Sequence, residues 1–266
     1  MSFAVNSRSN LTPRDLPRFP DATLFHRIAR AVCAAGCLPR KELFESWEVA
    51  RRARRRLRGG RVLDLACGHG LVAHLMLILD DSSPRAVAID SKLPESAARV
   101  SASLIAAWPR LAGRIDLIER PLGEVEALPG DVVVSAHACG PLTDEVITKA
   151  LSARARIAVL PCCHATAKGD LGGLGGWLDP ALAIDATRAA RLVAHGYRVI
   201  TQSIPEAITP KNRLLIGMPL ALPEERRGTC PIAPSGGLQG SGPAWPPAAS
   251  CSARAEVDSR RVRPSS

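Results

Sequence analysis

The chain has 266 residues, 46% apolar and 23% charged, which suits one large α/β domain or two small ones and excludes wholesale disorder. Aromatics are only 3%, so a core must come from Leu, Val, Ile and Ala, and no apolar run approaches the ~18 residues of a membrane-spanning helix. The net charge of +10, from 35 basic and 25 acidic residues, steers the protein toward polyanions, with nucleic acid first among them.

Residues 1–20 are polar and broken by Pro13, Pro17 and Pro20, and are expected to be loosely ordered. They hold no apolar block, so no secretory signal is expected. The eight cysteines, vicinal Cys162 and Cys163 included, show no secreted disulfide framework, which fits reduced thiols in the cytoplasm. Residues 21–58 read as a two-helix extension. Asp21 is a candidate N-cap, Leu24, Phe25, Ile28 and Val32 share a face, and Gly36 can terminate the first helix. Pro39 can open the second, with Leu43, Phe44 and Trp47 on its apolar stripe.

Residues 59–222 then alternate strand and helix. Strands rich in Val, Ile and Leu are predicted at 61–66, 86–90, 115–119, 131–135 and 156–161, with helices near 71–79, 94–107 and 142–152. A helix at about 180–195 and strands at 197–203 and 213–218 close the domain. This alternation predicts a parallel sheet with helices on both faces. Residues 223–266, rich in Pro, Gly and Ser with isolated apolar residues, are expected to form a disordered tail.

The sharpest segment is Arg61-Val-Leu-Asp-Leu-Ala-Cys-Gly-His-Gly70. A strand runs into Gly68 and Gly70, and a helix starts at Leu71; such glycines let the backbone turn tightly and approach a ligand at a helix N-terminus. The loop lies at the carboxyl end of the first strand, where open α/β sheets bind ligands. Gly68-x-Gly70-x-x-Ala73 also fits the relaxed dinucleotide pattern, so an NAD(P)-binding oxidoreductase is an alternative. Asp64, inside the strand, is poorly placed for a pyrophosphate and well placed for a cationic amino group. Asp90 ends the second strand, where a carboxylate can accept from both ribose hydroxyls. Glu119 closes the third strand, and Cys67 and Ser135, at the first and fourth strand ends, complete the cofactor-side candidates. Cys67 reads equally as a small hydrophobe packing the crevice.

The opening D-x-x-C-G-x-G resembles the first motif of the class I S-adenosylmethionine (SAM) methyltransferases. The resemblance implies a seven-stranded Rossmann-like sheet with an antiparallel last strand and SAM as cofactor. The acidic residue serves the methionine end of SAM, the glycines admit the adenosine, and the adenine is approached from near Glu119.

Two later strand ends gather the chemistry. Asp131-Val-Val-Val-Ser-Ala-His-Ala-Cys-Gly-Pro-Leu-Thr-Asp144 and Ile157-Ala-Val-Leu-Pro-Cys-Cys-His164 place His137, Cys139, Asp144, Cys162, Cys163 and His164 at the same crevice. No C-x-x-C pair occurs among them, so no metal site is expected. The pair of motifs H-x-C-G-x-x-T-D and P-C-C-H resembles a branch of the class I methyltransferases that includes acceptor-stem tRNA 2′-O-ribose methyltransferases and the methyltransferase part of the glutathione-S-transferase C-terminal-domain-containing protein. Ala136 and Ala165 stand where the tRNA enzymes carry Lys and His. For a hydroxyl acceptor a base must take the proton; His137 and His164 are the candidates, with Asp144 to orient one of them. Ile208-Thr-Pro-Lys-Asn-Arg-Leu214 leads into the last strand beside the site.

Arg51, Arg52, Arg54, Arg55, Arg56 and Arg58 precede the first strand. As a continued helix they ring its circumference and can grip phosphates, while Glu42, Glu45 and Glu48 can balance them. The expected function is SAM-dependent methyl transfer, with RNA as the leading acceptor and a small molecule or protein side chain next.

Overall fold

Both faces of the predicted strands are apolar, so each strand must be covered twice. In the computed structural model, which describes residues 3–161, 164, 166 and 169–221, this is what happens. Seven strands form one sheet: β1 (Val62–Leu65), β2 (Ala86–Asp90), β3 (Ile115–Glu119), β4 (Val132–Ser135), β5 (Arg156–Val159), β6 (Tyr197–Ser203) and β7 (Arg213–Pro219). Their order is β3-β2-β1-β4-β5-β7-β6. β1 to β5 are mutually parallel along the sheet, and β7 runs antiparallel to both β5 and β6. This is the seven-stranded Rossmann-like sheet with an antiparallel last strand that the resemblance implied.

Alternate residues feed two cores. Val62, Ala86, Ala88, Val132 and Val134 join one cluster with helices α1 (Leu24–Ala35), α2 (Arg40–Arg54), α3 (Leu71–Leu79) and α4 (Ala97–Ala107). Leu63, Leu65, Val87, Val133, Ile157 and Val159 join the other, with α5 (Pro141–Ser152) and α6 (Pro180–Ala194). α3 is apolar around nearly its whole circumference, and its residues from Leu71 to Ile78 are all buried. Such a helix needs a second cover, and α2 supplies it by packing on its outer side. The two predicted helices of 21–58 therefore sit inside the main core. Gly36 ends α1 in the left-handed region as expected, but the N-cap is Thr23, whose hydroxyl accepts from the His26 N–H, not Asp21.

Residues 3–20 correct the expectation of a loosely ordered start. Leu11 is fully buried and its N–H donates to the Leu38 carbonyl at 2.8 Å, while the N–H groups of Arg40 and Lys41 donate to Ser9 and Ser7. Phe19 meets Phe3 and Phe25 edge to face. The prolines shape a short 3₁₀ turn, Pro13–Arg18, closed by a Thr12–Asp15 capping box. Residues 223–266, the expected disordered tail, lie outside the described residues.

The arginine run is a second correction. α2 stops at Arg54, whose guanidinium is buried: Nε donates to the Met76 carbonyl, Nη1 to the Leu57 carbonyl and Nη2 to Ser83 Oγ, with Asp80 at 3.6 Å. Arg51 and Arg52 fold back on Glu48. Only Arg55, Arg56 and Arg58 of the six are exposed, and they lie just before β1, at the opposite end of the strands from the Gly68 loop. Arg54→Ala is expected to cost about 3 kcal/mol, because it strands Asp80 and several carbonyl groups in a buried site. Thermal unfolding should show a fall of roughly 6–12 °C. The same substitution at Arg55 should leave the transition within about 1 °C.

Candidate active site

The turn after β1 is tightly wound, with Ala66, Gly68 and Gly70 all at positive φ. Gly70, at φ +71°, has no room for a side chain: a Cβ there would lie 2.9 Å from Leu117 Cδ2 and 3.0 Å from Ala88 Cβ. Its carbonyl accepts from His74 Nδ1, and His74 Nε2 bonds Ser101 Oγ on α4. Burial pushes the His74 imidazole down to about 4, with the Gly70 carbonyl opposing, so the ring is a neutral stitch between loop and helix. Gly70→Ala is expected to destabilise the fold by roughly 1–3 kcal/mol. A chemical-denaturation midpoint equal to that of the wild type would show that the close packing is not limiting.

Gly68 has a different environment. Its N–H donates to Asp90 Oδ2 at 2.9 Å, and the space where a Cβ would stand faces Glu42 Oε1 and His137 Cδ2, each 3.7 Å away. The ends of β1, β2 and β4 thus converge at this glycine. Asp64 lies behind it, 1% exposed. One carboxylate oxygen accepts from the Ala73 N–H at 3.0 Å, while the other, Oδ1, is buried with no hydrogen-bond partner among the described residues. Burial holds this carboxyl well above the usual carboxylate range; the Ala73 N–H opposes that, and the charges of Glu42 and Asp90 reinforce it. Three carboxylates and one unpaired oxygen make a site that favours a cation. An isolated buried charge is otherwise costly.

The remaining cofactor-side candidates divide. Asp90 keeps its carboxylate at the loop, with Oδ1 also 3.4 Å from the Lys92 N–H. Glu119 pairs in register with Asp90 and accepts from the Leu93 N–H, so it braces the segment after β2. Ser135 is buried, and its hydroxyl accepts from the Ala138 N–H, which shapes the turn that carries His137. Cys67 is 1% exposed in the main core and burial pushes its thiol up, so it packs and does not face a ligand.

Two residues escaped sequence reasoning. Glu42, in the first turn of α2, places both oxygens 3.1 Å from His69 Nδ1, and His69 Nε2 bonds Ser96 Oγ before α4. This bridge ties α2 across the glycine loop. Glu42 Oε1 also faces His137 Nε2 at 3.9 Å, a nitrogen shielded from solvent and without a hydrogen-bond partner among the described residues. His137 and Cys139 line a cleft of about 470 Å³ together with Ile208, Thr209, Pro210 and Lys211. The segment before β7 thus faces His137.

Asp144 does not orient a histidine. It forms a bidentate pair with Arg188, Nε to Oδ1 at 2.9 Å and Nη2 to Oδ2 at 2.7 Å. His164 is oriented instead by Asp185 of α6, 2.8 Å from its Nε2, and Asp185 also accepts from Arg213. Asp185 and Arg213 line a different cleft, of about 420 Å³. Cys162 and Cys163 lie outside the described residues. Among the described residues no group of His, Cys, Asp and Glu is placed to hold a metal, and no helix is long and apolar enough to cross a membrane.

No curated protein sequence matches the chain. Among solved structures, the chain is similar to an O-methyltransferase family protein from Burkholderia thailandensis, with 20% identity over 79% of this chain and 63% of that one and a TM-score of 0.46. The chain spans less than two thirds of that protein's length. It is also similar to magnesium protoporphyrin IX methyltransferase from Synechocystis PCC 6803, with 13% identity over 76% of this chain and 97% of that one and a TM-score of 0.46. TrmK of M. capricolum gives 13% identity, 66% and 71% coverage and a TM-score of 0.44. A family model described as a methyltransferase domain matches residues 43–169, the stretch that contains Asp64, the glycine loop, Asp90, His137 and His164.

Proposed function

We propose that the chain transfers a methyl group from SAM to an RNA acceptor. The observation that carries the methyl-transfer reading is the position of His137. One side of its ring borders the space above Gly68, and the same side chain lines the cleft beneath Lys211 and Thr209. A cofactor on the glycine loop and an acceptor in the cleft would meet at this residue.

The chain's residues fit SAM. The unpaired Asp64 Oδ1 suits an ammonium group, the left-handed Gly68–Gly70 turn suits a close approach by the nucleoside, and Asp90 suits ribose hydroxyls. When bound, the cofactor would supply an electrophilic sulfonium methyl group whose carbon an acceptor lone pair can attack in line, with S-adenosylhomocysteine as the leaving group. The protein's work is then mainly positioning. For a hydroxyl acceptor, His137 Nε2 is the shielded basic atom at the junction, and Glu42 is the counter-charge for the cation formed when the ring takes a proton.

RNA as acceptor is supported by the net charge of +10, by exposed Arg55, Arg56 and Arg58, and by the resemblance of the His137–Asp144 motif to RNA-modifying enzymes. The full chain incubated with methyl-labelled SAM and fractionated cell extract is expected to put label into RNA. Label in protein or small molecules alone rejects RNA. No calorimetric heat with SAM or S-adenosylhomocysteine rejects the cofactor reading.

A further inference from the structure

The cleft beside His137 has a chemistry that the cofactor loop leaves unexplained. Three cations line it: Arg8 from the amino-terminal segment, Lys41 from the first turn of α2, and Lys211 from the connection between β6 and β7. Lys41 pairs with Glu45 at 3.2 Å, whereas Arg8 and Lys211 make no ion pair among the described residues. Three cations less one carboxylate leave an excess of two positive charges in one concavity.

The fold holds these groups in place. The Lys41 N–H donates to the Ser7 carbonyl and the Arg40 N–H to that of Ser9, so Arg8 sits between two residues strapped to the start of α2. On the far side, the Lys211 N–H lies 3.4 Å from the hydroxyl of Thr209, which is itself buried. All three cations lie outside residues 43–169, the stretch matched by the methyltransferase domain. Three segments outside the matched stretch therefore converge on this cleft.

Resting on the methyl-transfer reading above, we propose that Arg8, Lys41 and Lys211 form an anion subsite that takes a phosphate of the methyl acceptor and holds its reacting group toward His137. A guanidinium fork matches two phosphate oxygens and the ammonium groups add point charges, a division of labour common in phosphate recognition. The phosphate can come from an RNA backbone or from a small phosphorylated molecule, and the subsite chemistry is the same for both.

The test uses the full chain saturated with S-adenosylhomocysteine and two probes, a labelled RNA hairpin and pyrophosphate. The combined variant Arg8→Gln, Lys41→Gln, Lys211→Gln is expected to lose at least about tenfold in affinity for the probe that binds. For RNA, the slope of log affinity against log salt should fall by about 2–3. Retained S-adenosylhomocysteine binding shows that the variant is folded. RNA capture with weak pyrophosphate competition assigns the phosphate to a polynucleotide, and a pyrophosphate-saturable site without RNA preference assigns it to a small molecule; both support the subsite. Unchanged affinity and slope in the variant, or wild-type protein that takes up neither probe, overturn the subsite while the cofactor heat leaves methyl transfer standing. Absence of that heat overturns the methyl-transfer reading and this proposal with it.

Discussion

Asp64→Asn is expected to make the ligand-free protein more resistant to heat at about pH 8 while removing most of its affinity for SAM. The carboxyl is buried, one oxygen lacks a hydrogen-bond partner among the described residues, and Glu42 and Asp90 repel its charge. Its native proton affinity is raised above that of the unfolded chain, so the native state is the better proton binder. Stability of the ligand-free protein is therefore fullest below the ordinary carboxylate range and declines as pH rises through the raised native value. Asparagine cannot ionise and lacks that decline; each kcal/mol recovered is worth roughly 2–4 °C in the transition. A bound ammonium takes the place of the proton, so wild-type affinity should strengthen over the same rise in pH. Without the carboxylate the loss should be on the order of 100-fold, or about 3 kcal/mol. Scanning calorimetry and titration with S-adenosylhomocysteine from about pH 5 to about pH 8 read both quantities. A variant that binds like the wild type would reduce Asp64 to a brace for the Ala73 N–H.

His137→Ala should lower single-turnover methyl transfer by about a hundredfold or more, the usual weight of a positioned base, with S-adenosylhomocysteine affinity within about twofold. The separation follows from its contacts: the ring borders Gly68 only at van der Waals distance and lines the cleft, while its Nε2 faces Glu42 and has no hydrogen-bond partner among the described residues. Wild-type turnover in the variant would remove the base. A parallel loss of cofactor affinity would make His137 a wall of the cofactor site.

The strands were legible because their apolar runs are short and set off by turn-forming residues, Gly130 before one and Pro84 before another: Val132–Ser135 and Ala86–Asp90 fall within a residue of expectation. The glycine loop was legible because backbone demands leave a chemical trace in residue type. Charged side chains leave none. Arg54 and Arg55 are identical letters, yet one is buried under α3 and the other is exposed. A trace existed in helical spacing, since Arg54 continues the stripe of Leu43, Ala50 and Leu57, all buried. Glu42 with His69, and His164 with Asp185, are pairings over more than twenty residues. No local pattern encodes them, so Asp144 was assigned a role that Asp185 and Glu42 hold the geometry for. The order of the amino-terminal segment leaves little trace in its sequence, because proline content signals breaks in helix, while Leu11 and Phe19 anchor the chain without any periodic run.

The insertion of β7 between β5 and β6 bears on how the chain is made. While the polypeptide leaves the ribosome, β5 presents an open edge and β6 has no lateral partner until Arg213–Pro219 has emerged. A nascent chain stalled before that point would expose unpaired backbone next to apolar Ile157 and Val159, the kind of surface that chaperones hold and aggregates grow from.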